Sequence, residues 1–357
     1  MSQKFYPLLV KKKTKTTSDC VVVTFDIKEE VKEHFSYKQG QYLTLQKDIG
    51  GEEVRRSYSL CSTPLDDEWE VAIKKVEDGR FSTYANDVLQ VGDTIDVMPP
   101  EGKFYVDIDA DRQRNYVAFA AGSGITPIIS IIETHLRSEP KSTFKLFYVN
   151  QTVSTVILKE ELEALKNSYL DRFEIFYFLT RQQRNIPFLN GRLDLAKLDI
   201  IFKSICDVDL IDHYFSCGPE SMVVMIDDFL TKTGVPKSAI HFELFGNTAV
   251  DTKKQDRIKK VHGHKDCELS IIEGGQRTEF VIGQGGNNIL DAAMNNSVDL
   301  PYACKGGVCC TCRAKLVEGK VEMLVSYGLD EQEIKDGFIL TCQAIPISSK
   351  IVVDFDI

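Results

Sequence analysis

The 357-residue sequence predicts a multidomain chain of α+β and α/β type. Three observations carry that expectation. Short strand-like stretches, broken by Gly, Asp and Pro, fill the first hundred residues. Strand and helix patterns then alternate to about residue 246. Four of the ten cysteines crowd into residues 304–312. The length suits two or three domains of about 100–200 residues each. The expected divisions are 1–103, 104–246, a linker at 247–265 and 266–357.

The first segment shows apolar or alternating stretches at 20–27, 41–45, 56–60, 70–76 and 94–98, with one helix at about 83–89. Short strands punctuated by Asp48-Ile49-Gly50-Gly51 and Pro99-Pro100 read as an antiparallel β-barrel or sandwich. In the second segment, strands are expected at 116–120, 144–150, Phe173–Leu179, 213–217 and Ile240–Leu244. Helices are expected at 126–136, 158–167 and 220–231, with a loop and short helix at 188–198. Such alternation implies a parallel sheet covered on both faces. Residues 247–265 are rich in Lys and Arg and read as a solvated linker, a basic docking strip being the alternative. The third segment offers a hairpin, 267–273 with 278–282, turning at Gly274-Gly275. A helix at Ile289–Asn295 and strands at 312–318 and 350–355 make it α+β.

Composition narrows the function. Hydrophobic residues are 43% and charged residues 27% of the chain, ordinary values for a folded protein. No apolar run approaches the roughly 18 residues of a membrane helix, and the N-terminus lacks a secretory pattern. A cytoplasmic protein without membrane attachment is therefore expected. With 43 basic and 53 acidic residues the formal charge is −10, which disfavours nucleic acid as a partner.

The strongest chemical signal is Cys304-Lys305-Gly306-Gly307-Val308-Cys309-Cys310-Thr311-Cys312, spaced C-x4-C-x2-C, with Cys342 downstream. That spacing is the plant-type [2Fe–2S] pattern. Two bridged irons need two thiolates each, and a short loop supplies three of the four. Gly306 and Gly307 allow close backbone approach. The alternatives are zinc, which favours paired C-x2–4-C knuckles, and coincidence. The ligand set is Cys304, Cys309, Cys312 and Cys342, with Cys310 a bystander.

A second signal is Arg56-Ser57-Tyr58-Ser59 in a strand. Arginine holds phosphate bidentately, and Tyr at i+2 shares its face, where the ring can lie against a flat heteroaromatic. Weak alone, the motif gains weight from Gly79-Arg80-Phe81-Ser82-Thr83, which opens a helix after a strand carrying Lys74 and Val76. Ser82 is the expected N-cap, and free N–H groups there attract an anion. Two phosphate sites suit the pyrophosphate of FAD better than the single phosphate of FMN.

A third signal, Gly122-Ser123-Gly124-Ile125-Thr126-Pro127, opens a helix after an apolar strand but departs from the G-x-G-x-x-G fingerprint. The acidic residue expected after the next strand is replaced by Asn150-Gln151. One strand later, Thr180 and Arg181, with Arg192, offer a site for a 2′-phosphate. That points to NADPH, with NADH and a merely solvated basic loop as alternatives. Cys217-Gly218-Pro219 then ends a strand and begins a helix, facing the same crevice.

In this order the motifs resemble the ferredoxin–NADP reductase superfamily over residues 1–246, and the third segment resembles plant-type ferredoxins. The fusion resembles the reductases of multicomponent oxygenases, above all the phenylacetyl-CoA epoxidase reductases, in domain order and in the strings VEDGRFS and YACKGGVC. The resemblance implies a flavin barrel, a nucleotide domain and a β-grasp ferredoxin domain. It implies that Arg56, Tyr58 and Ser59 hold the flavin, with Ser59 near its reactive nitrogen. Gly79, Phe81, Ser82 and Thr83 would bind the FAD pyrophosphate. Gly122, Gly124 and Thr126 would line the nucleotide, and Cys217, Gly218 and Pro219 would sit by the nicotinamide. Glu243 and Phe245 would cover the flavin. Electrons would run from NADPH through FAD and the cluster to an oxygenase component of di-iron type. An NADH-dependent reductase for another multicomponent, ring-hydroxylating oxygenase, or a general flavin and iron–sulfur ferredoxin-type reductase, is the other reading. From Asp266 onward there are 14 acidic and 7 basic residues, so a basic acceptor surface or plain solubility explains that charge.

Overall fold

The structure, a computed structural model, describes residues 4–245, 252–263 and 265–357. They form two compact units. One is Tyr6–Val54 with Tyr58–Phe245. The other gathers the C-terminal segment to Ile357, with Arg55–Ser57.

The barrel part contains β1 (Tyr6–Thr17), β2 (Cys20–Asp26), the short α1 (Glu29–Lys32), β3 (Tyr42–Asp48), β4 (Glu53–Ser59), β5 (Trp69–Lys74), α2 (Arg80–Asp87) and β6 (Thr94–Val97). The sheet order is β4-β3-β6-β1-β2-β5. Just past β4, Leu60 bridges Val71 of β5, so the two edge strands meet and the sheet closes. Closure removes exposed edges. The long β1 has no counterpart in the sequence reading. Leu8 and Val10 point into the core while the lysines face outward. Lys13 Nζ donates to the carbonyls of Asn86 (2.9 Å) and Leu89 (2.8 Å), at the C-terminal end of α2, where a cation is favoured.

Next follow β7 (Asn115–Ala121), α3 (Ile125–Ser138), β8 (Thr143–Asn150), α4 (Lys159–Ser168), β9 (Phe173–Leu179), α5 (Leu195–Ser204), β10 (His213–Gly218), α6 (Glu220–Lys232) and β11 (Ile240–Leu244). All ladders in the order β11-β10-β7-β8-β9 are parallel. The chain leaves β7 toward β8 and returns on the other side at β10. The switch point, where open α/β sheets bind ligands, therefore lies between β7 and β10. The short helix expected within the 188–198 loop is α5, which begins at Leu195 and runs past that span to Ser204. Barrel and α/β sheet share one apolar cluster: Cys20, Val22 and Ala72 pack with Ile128, Ile129, Val156 and Ile157. Ser130 Oγ donates to Ser62 O (2.6 Å), and Arg137 pairs with both carboxylate oxygens of Asp66 (2.6 and 2.8 Å).

In the C-terminal unit, α7 (Thr252–His262) precedes β12 (Asp266–Glu273), β13 (Gln276–Gly283), α8 (Ile289–Asn295), β14 (Arg313–Glu318), β15 (Val321–Met323), α9 (Glu331–Lys335), β16 (Phe338–Leu340), β17 (Ala344–Pro346) and β18 (Lys350–Asp354). The sheet order is β13-β12-β18-β14-β16, with β12 and β18 parallel and its other ladders antiparallel. The buried face of α8 (Ile289, Leu290, Ala293) shares the apolar core of this mixed sheet. The Gly274-Gly275 turn has φ +58° and +74°, the pair of positive angles a tight hairpin demands.

Within the expected solvated linker, the described residues 252–263 differ from that expectation. Thr252–His262 is helical, Ile258 is buried, Lys254 Nζ donates to Met323 O (2.7 Å) and Arg257 pairs with Glu322 (2.7 Å). One buried apolar side chain, Ile258, among many basic ones carries too weak a periodic signal to read in advance. Residues 246–251 and 264, and with them the expected boundary at 246–247, lie outside the described residues. Among the described residues, no helix is long and apolar enough to cross a membrane.

Candidate functional site

Strand β4 carries Arg56, Tyr58 and Ser59. Arg56 is exposed, and its Nη1 donates to Arg55 O (2.7 Å). The Tyr58 ring is half-buried, 5.7 Å from the Phe81 ring at a tilt of 41°. Ser59 is buried, and its hydroxyl donates to Glu243 Oε2 at 2.9 Å.

The helix after β5 begins at Arg80, three residues earlier than expected, and its N-cap is Gly79. Ser82 is therefore not the cap. Asp78 takes φ +56°, a tight turn that starts the helix at once. From inside the first turn, Ser82 Oγ accepts from Val76 N (3.2 Å) and donates to Gly79 O (3.3 Å). A Cβ on Gly79 would stand 2.4 Å from both Ser82 Oγ and Val76 Cγ2. No side chain caps α2, and first-turn N–H groups lack partners within a helix. This start is a cradle of donors suited to a phosphate. Lys74 sits at the end of β5 with Nζ 3.7 Å from Asp19, Val76 is exposed, Phe81 is buried in the barrel core and Thr83 is half-buried.

The two glycine turns of the α/β sheet are packed on each other. A Cβ on Gly124 would lie 2.2 Å from Cys217 O and 2.9 Å from Gly218 N, and one on Gly218 would lie 3.0 Å from Ala121 Cβ. Bare backbone is the condition for this approach. Gly122 has φ +54°, and its carbonyl accepts from Tyr148 OH (2.9 Å). Thr126 is buried, with Oγ1 donating to Ser123 O (3.1 Å). Pro219 is the N-cap of α6.

Cys217 lies in register between Ala120 of β7 and Glu243 of β11. Burial pushes its thiol well above the ordinary value, with a further push from Glu243. Glu243 is in turn raised to about 7 by burial, against the lowering effect of the Ser59 hydroxyl. Thus Ser59 and Cys217, singled out from sequence, meet through Glu243. No local spacing could reveal that meeting, since Glu243 lies 184 residues from Ser59. Phe245, just past β11, is exposed.

At the end of β8, Asn150 is buried and Gln151 exposed, so no carboxylate occupies the position beside a ribose. Thr180 N and Arg181 N donate to Asn150 O (2.9 Å) and Gln151 O (2.8 Å), which fixes the backbone there. The Arg181 side chain is exposed. The Arg184 guanidinium is turned back onto Tyr177 O (3.1 Å).

In the C-terminal unit the four cysteines form two pairs. The Cys309 thiol donates to Cys304 Sγ at 3.1 Å, and the Cys312 and Cys342 thiols are hydrogen-bonded to one another. Cys304 is lowered to about 6, first by the Cys309 thiol and then by backbone N–H groups including those of Cys309 and Gly306. Cys309 and Cys312 are raised well above the usual thiol value, each by its pair partner and by burial. Among the described residues no three His, Cys, Asp or Glu side chains converge on one metal ion. Two thiol pairs suit two bridged irons better than a single zinc. Cys310 lies outside both pairs, its thiol donating to Gly328 O (2.7 Å).

Three family models match in chain order: an oxidoreductase FAD-binding domain over residues 7–105, an oxidoreductase NAD-binding domain over 119–228 and a 2Fe-2S iron-sulfur cluster binding domain over 271–346. One subunit of the 1,2-phenylacetyl-CoA epoxidase of Escherichia coli (strain K12) is 39% identical, covering 99% of this chain and 98% of that protein. The chain belongs to the flavin and iron–sulfur oxygenase reductase family. The ferredoxin reductase component of 3-ketosteroid-9-alpha-monooxygenase from Rhodococcus rhodochrous is 30% identical, with 95% and 93% covered. Phthalate dioxygenase reductase shares the fold of this reductase, with 23% identity, 98% of each chain covered and a TM-score of 0.61. An intact type IV self-sufficient cytochrome P450 monooxygenase matches 98% of the reductase and 41% of its own chain, at 21% identity and a TM-score of 0.69. The reductase is an NAD(P)H-dependent oxidoreductase with an antiparallel flavin domain, a parallel-sheet nucleotide domain and a C-terminal 2Fe-2S domain.

Proposed function

We propose that this reductase oxidises NADPH and delivers single electrons to the di-iron oxygenase component of a phenylacetyl-CoA epoxidase-type monooxygenase in the cytoplasm. The 39% identity over nearly the full length of both chains supports the acceptor class. The ten free cysteines suit a reducing compartment.

When bound, the flavin takes a hydride as two electrons and the [2Fe–2S] cluster handles one electron at a time. The protein's share is positioning. Tyr58 and Ser59 hold the flavin ring, with Arg56 and the start of α2 (Gly79, Phe81, Ser82, Thr83) at its phosphates and Lys74 and Val76 alongside. Gly122, Gly124, Thr126, Gly218 and Pro219 leave room for the nucleotide at the β7–β10 switch point. Buried Cys217 and half-buried Glu243 stand beside Ser59, and Phe245 stands at the rim. With a carboxyl raised to about 7, Glu243 is able to give or take the proton that accompanies flavin reduction through the Ser59 hydroxyl. Cys304, Cys309, Cys312 and Cys342 would hold the two irons.

The choice of NADPH rests on Thr180 and Arg181 standing where the chain lacks an acidic ribose partner. The observation that carries the whole reading is the Ser59–Glu243–Cys217 cluster at the switch point of a nucleotide sheet, in a chain that also carries two cysteine pairs. The test is reduction of a purified phenylacetyl-CoA epoxidase oxygenase component by NADPH through this reductase. Product formation only with NADH, or only with a ring-hydroxylating oxygenase, would select the other reading.

A further inference from the structure

The cysteine loop and Cys342 come from distant segments, and one side chain spans them. Gln343 is buried. Its Nε2 donates to Lys305 O at 2.9 Å and lies 3.7 Å from Cys342 Sγ, in range of a weak N–H···S bond. Lys305 is a non-glycine residue at φ +51°, a left-handed conformation that is strained unless its surroundings enforce it. The Gln343 amide holds the carbonyl of that strained residue.

The fit is close. A Cβ on Gly307 would lie 2.8 Å from Gln343 Cγ. The backbone of Gln343 ties the other side: its N–H donates to Leu340 O (2.9 Å), and its carbonyl accepts from Leu324 N (3.0 Å). Gln343 Oε1 is buried and has no hydrogen-bond partner among the described residues. Turning the amide over would set that oxygen against the Lys305 carbonyl, so the neighbour decides the orientation. A buried orphan acceptor costs stability, and an apolar side chain of this size would avoid the cost. The N–H donor is what this position retains.

We propose that Gln343 is a positioning residue of the iron–sulfur site. Its amide keeps the Cys304 loop in the ligating conformation and donates to the Cys342 sulfur, favouring the reduced state. This rests on the four-cysteine reading above. Reduction adds negative charge, and a hydrogen bond to a ligand sulfur stabilises it.

The test uses the full-length, cluster-loaded protein as wild type, Gln343→Glu and Gln343→Met. Iron per chain, visible absorption and the reduction equilibrium against redox dyes are measured. The expected result is retained iron with the equilibrium moved about tenfold toward the oxidised form in Gln343→Met, about 59 mV for one electron. Gln343→Glu, which loses the donor and adds a charge, moves further the same way. Should the methionine variant fail to load, the isosteric glutamate variant carries the test alone. An unchanged equilibrium in a loaded variant overturns the proposal. Iron-free, colourless wild type overturns the four-cysteine reading instead.

Discussion

The Ser59 hydroxyl donates to Glu243 Oε2 at 2.9 Å, joining the end of β4 in the barrel to the last strand of the nucleotide sheet. Glu243 is also the register neighbour of Cys217. This half-buried carboxyl lies between a hydroxyl and a thiol, and among the described residues no cation offsets its desolvation, which raises it to about 7.

That placement predicts a pH signature. Rapid-mixing measurements of flavin reduction by NADPH should show an inflexion near pH 7 in the wild type. Glu243→Gln should abolish it. Ser59→Ala removes the one group that lowers Glu243, so its inflexion should move to higher pH. Stability follows the same sign. Folded Glu243 binds its proton more tightly than the unfolded chain does, so stability falls as pH rises from about 4.5 through 7. Glu243→Gln should flatten that part of a melting-temperature profile.

Coenzyme choice is expected to follow Arg181. A charge-assisted hydrogen bond is worth about 1.5–3 kcal/mol, or roughly tenfold to a hundredfold in binding. Arg181→Ala should raise the KM for NADPH by that factor and leave the KM for NADH unchanged. Equal effects on both coenzymes in steady-state assays would remove Arg181 from the phosphate site.

Gly124→Ala should damage the nucleotide site selectively. The added methyl meets Cys217 O at 2.2 Å, backbone against side chain, and overpacking of this kind costs about 1–3 kcal/mol. The expected outcome is a lower melting temperature and weak coenzyme binding by calorimetry, with FAD and iron still present.

Replacing Cys304, Cys309, Cys312 or Cys342 by Ser should abolish the cluster's visible absorption and its iron, while NADPH still reduces ferricyanide through the flavin. Cys310→Ala should keep two irons per chain, because its thiol binds Gly328 O rather than joining either pair. Loss of iron in Cys310→Ala would make it a ligand.

Much of this was legible locally. The spacing of Cys304, Cys309 and Cys312 announces itself because three cysteines lie in one loop, and Phe173–Leu179 and Ile240–Leu244 stand as strands with the expected limits. Strand β1 was not legible, since its lysines hide the inward Leu8 and Val10. Nor was α7, whose single buried Ile258 is lost among basic residues. Ser82 looked like a helix cap by residue type, but the turn at Asp78 moved the start to Gly79.

The sequence by itself determined the three domain types, the spacing of the cysteine loop and the order of the glycine turns, because each is written in contiguous residues with a local period or spacing. Only the tertiary structure decided that Glu243 joins Ser59 to Cys217, that Gly124 lies against the Cys217 carbonyl, and that Gln343 reaches the Lys305 loop. Those relationships join residues far apart in the chain, and chain closure and close packing set them rather than any local propensity.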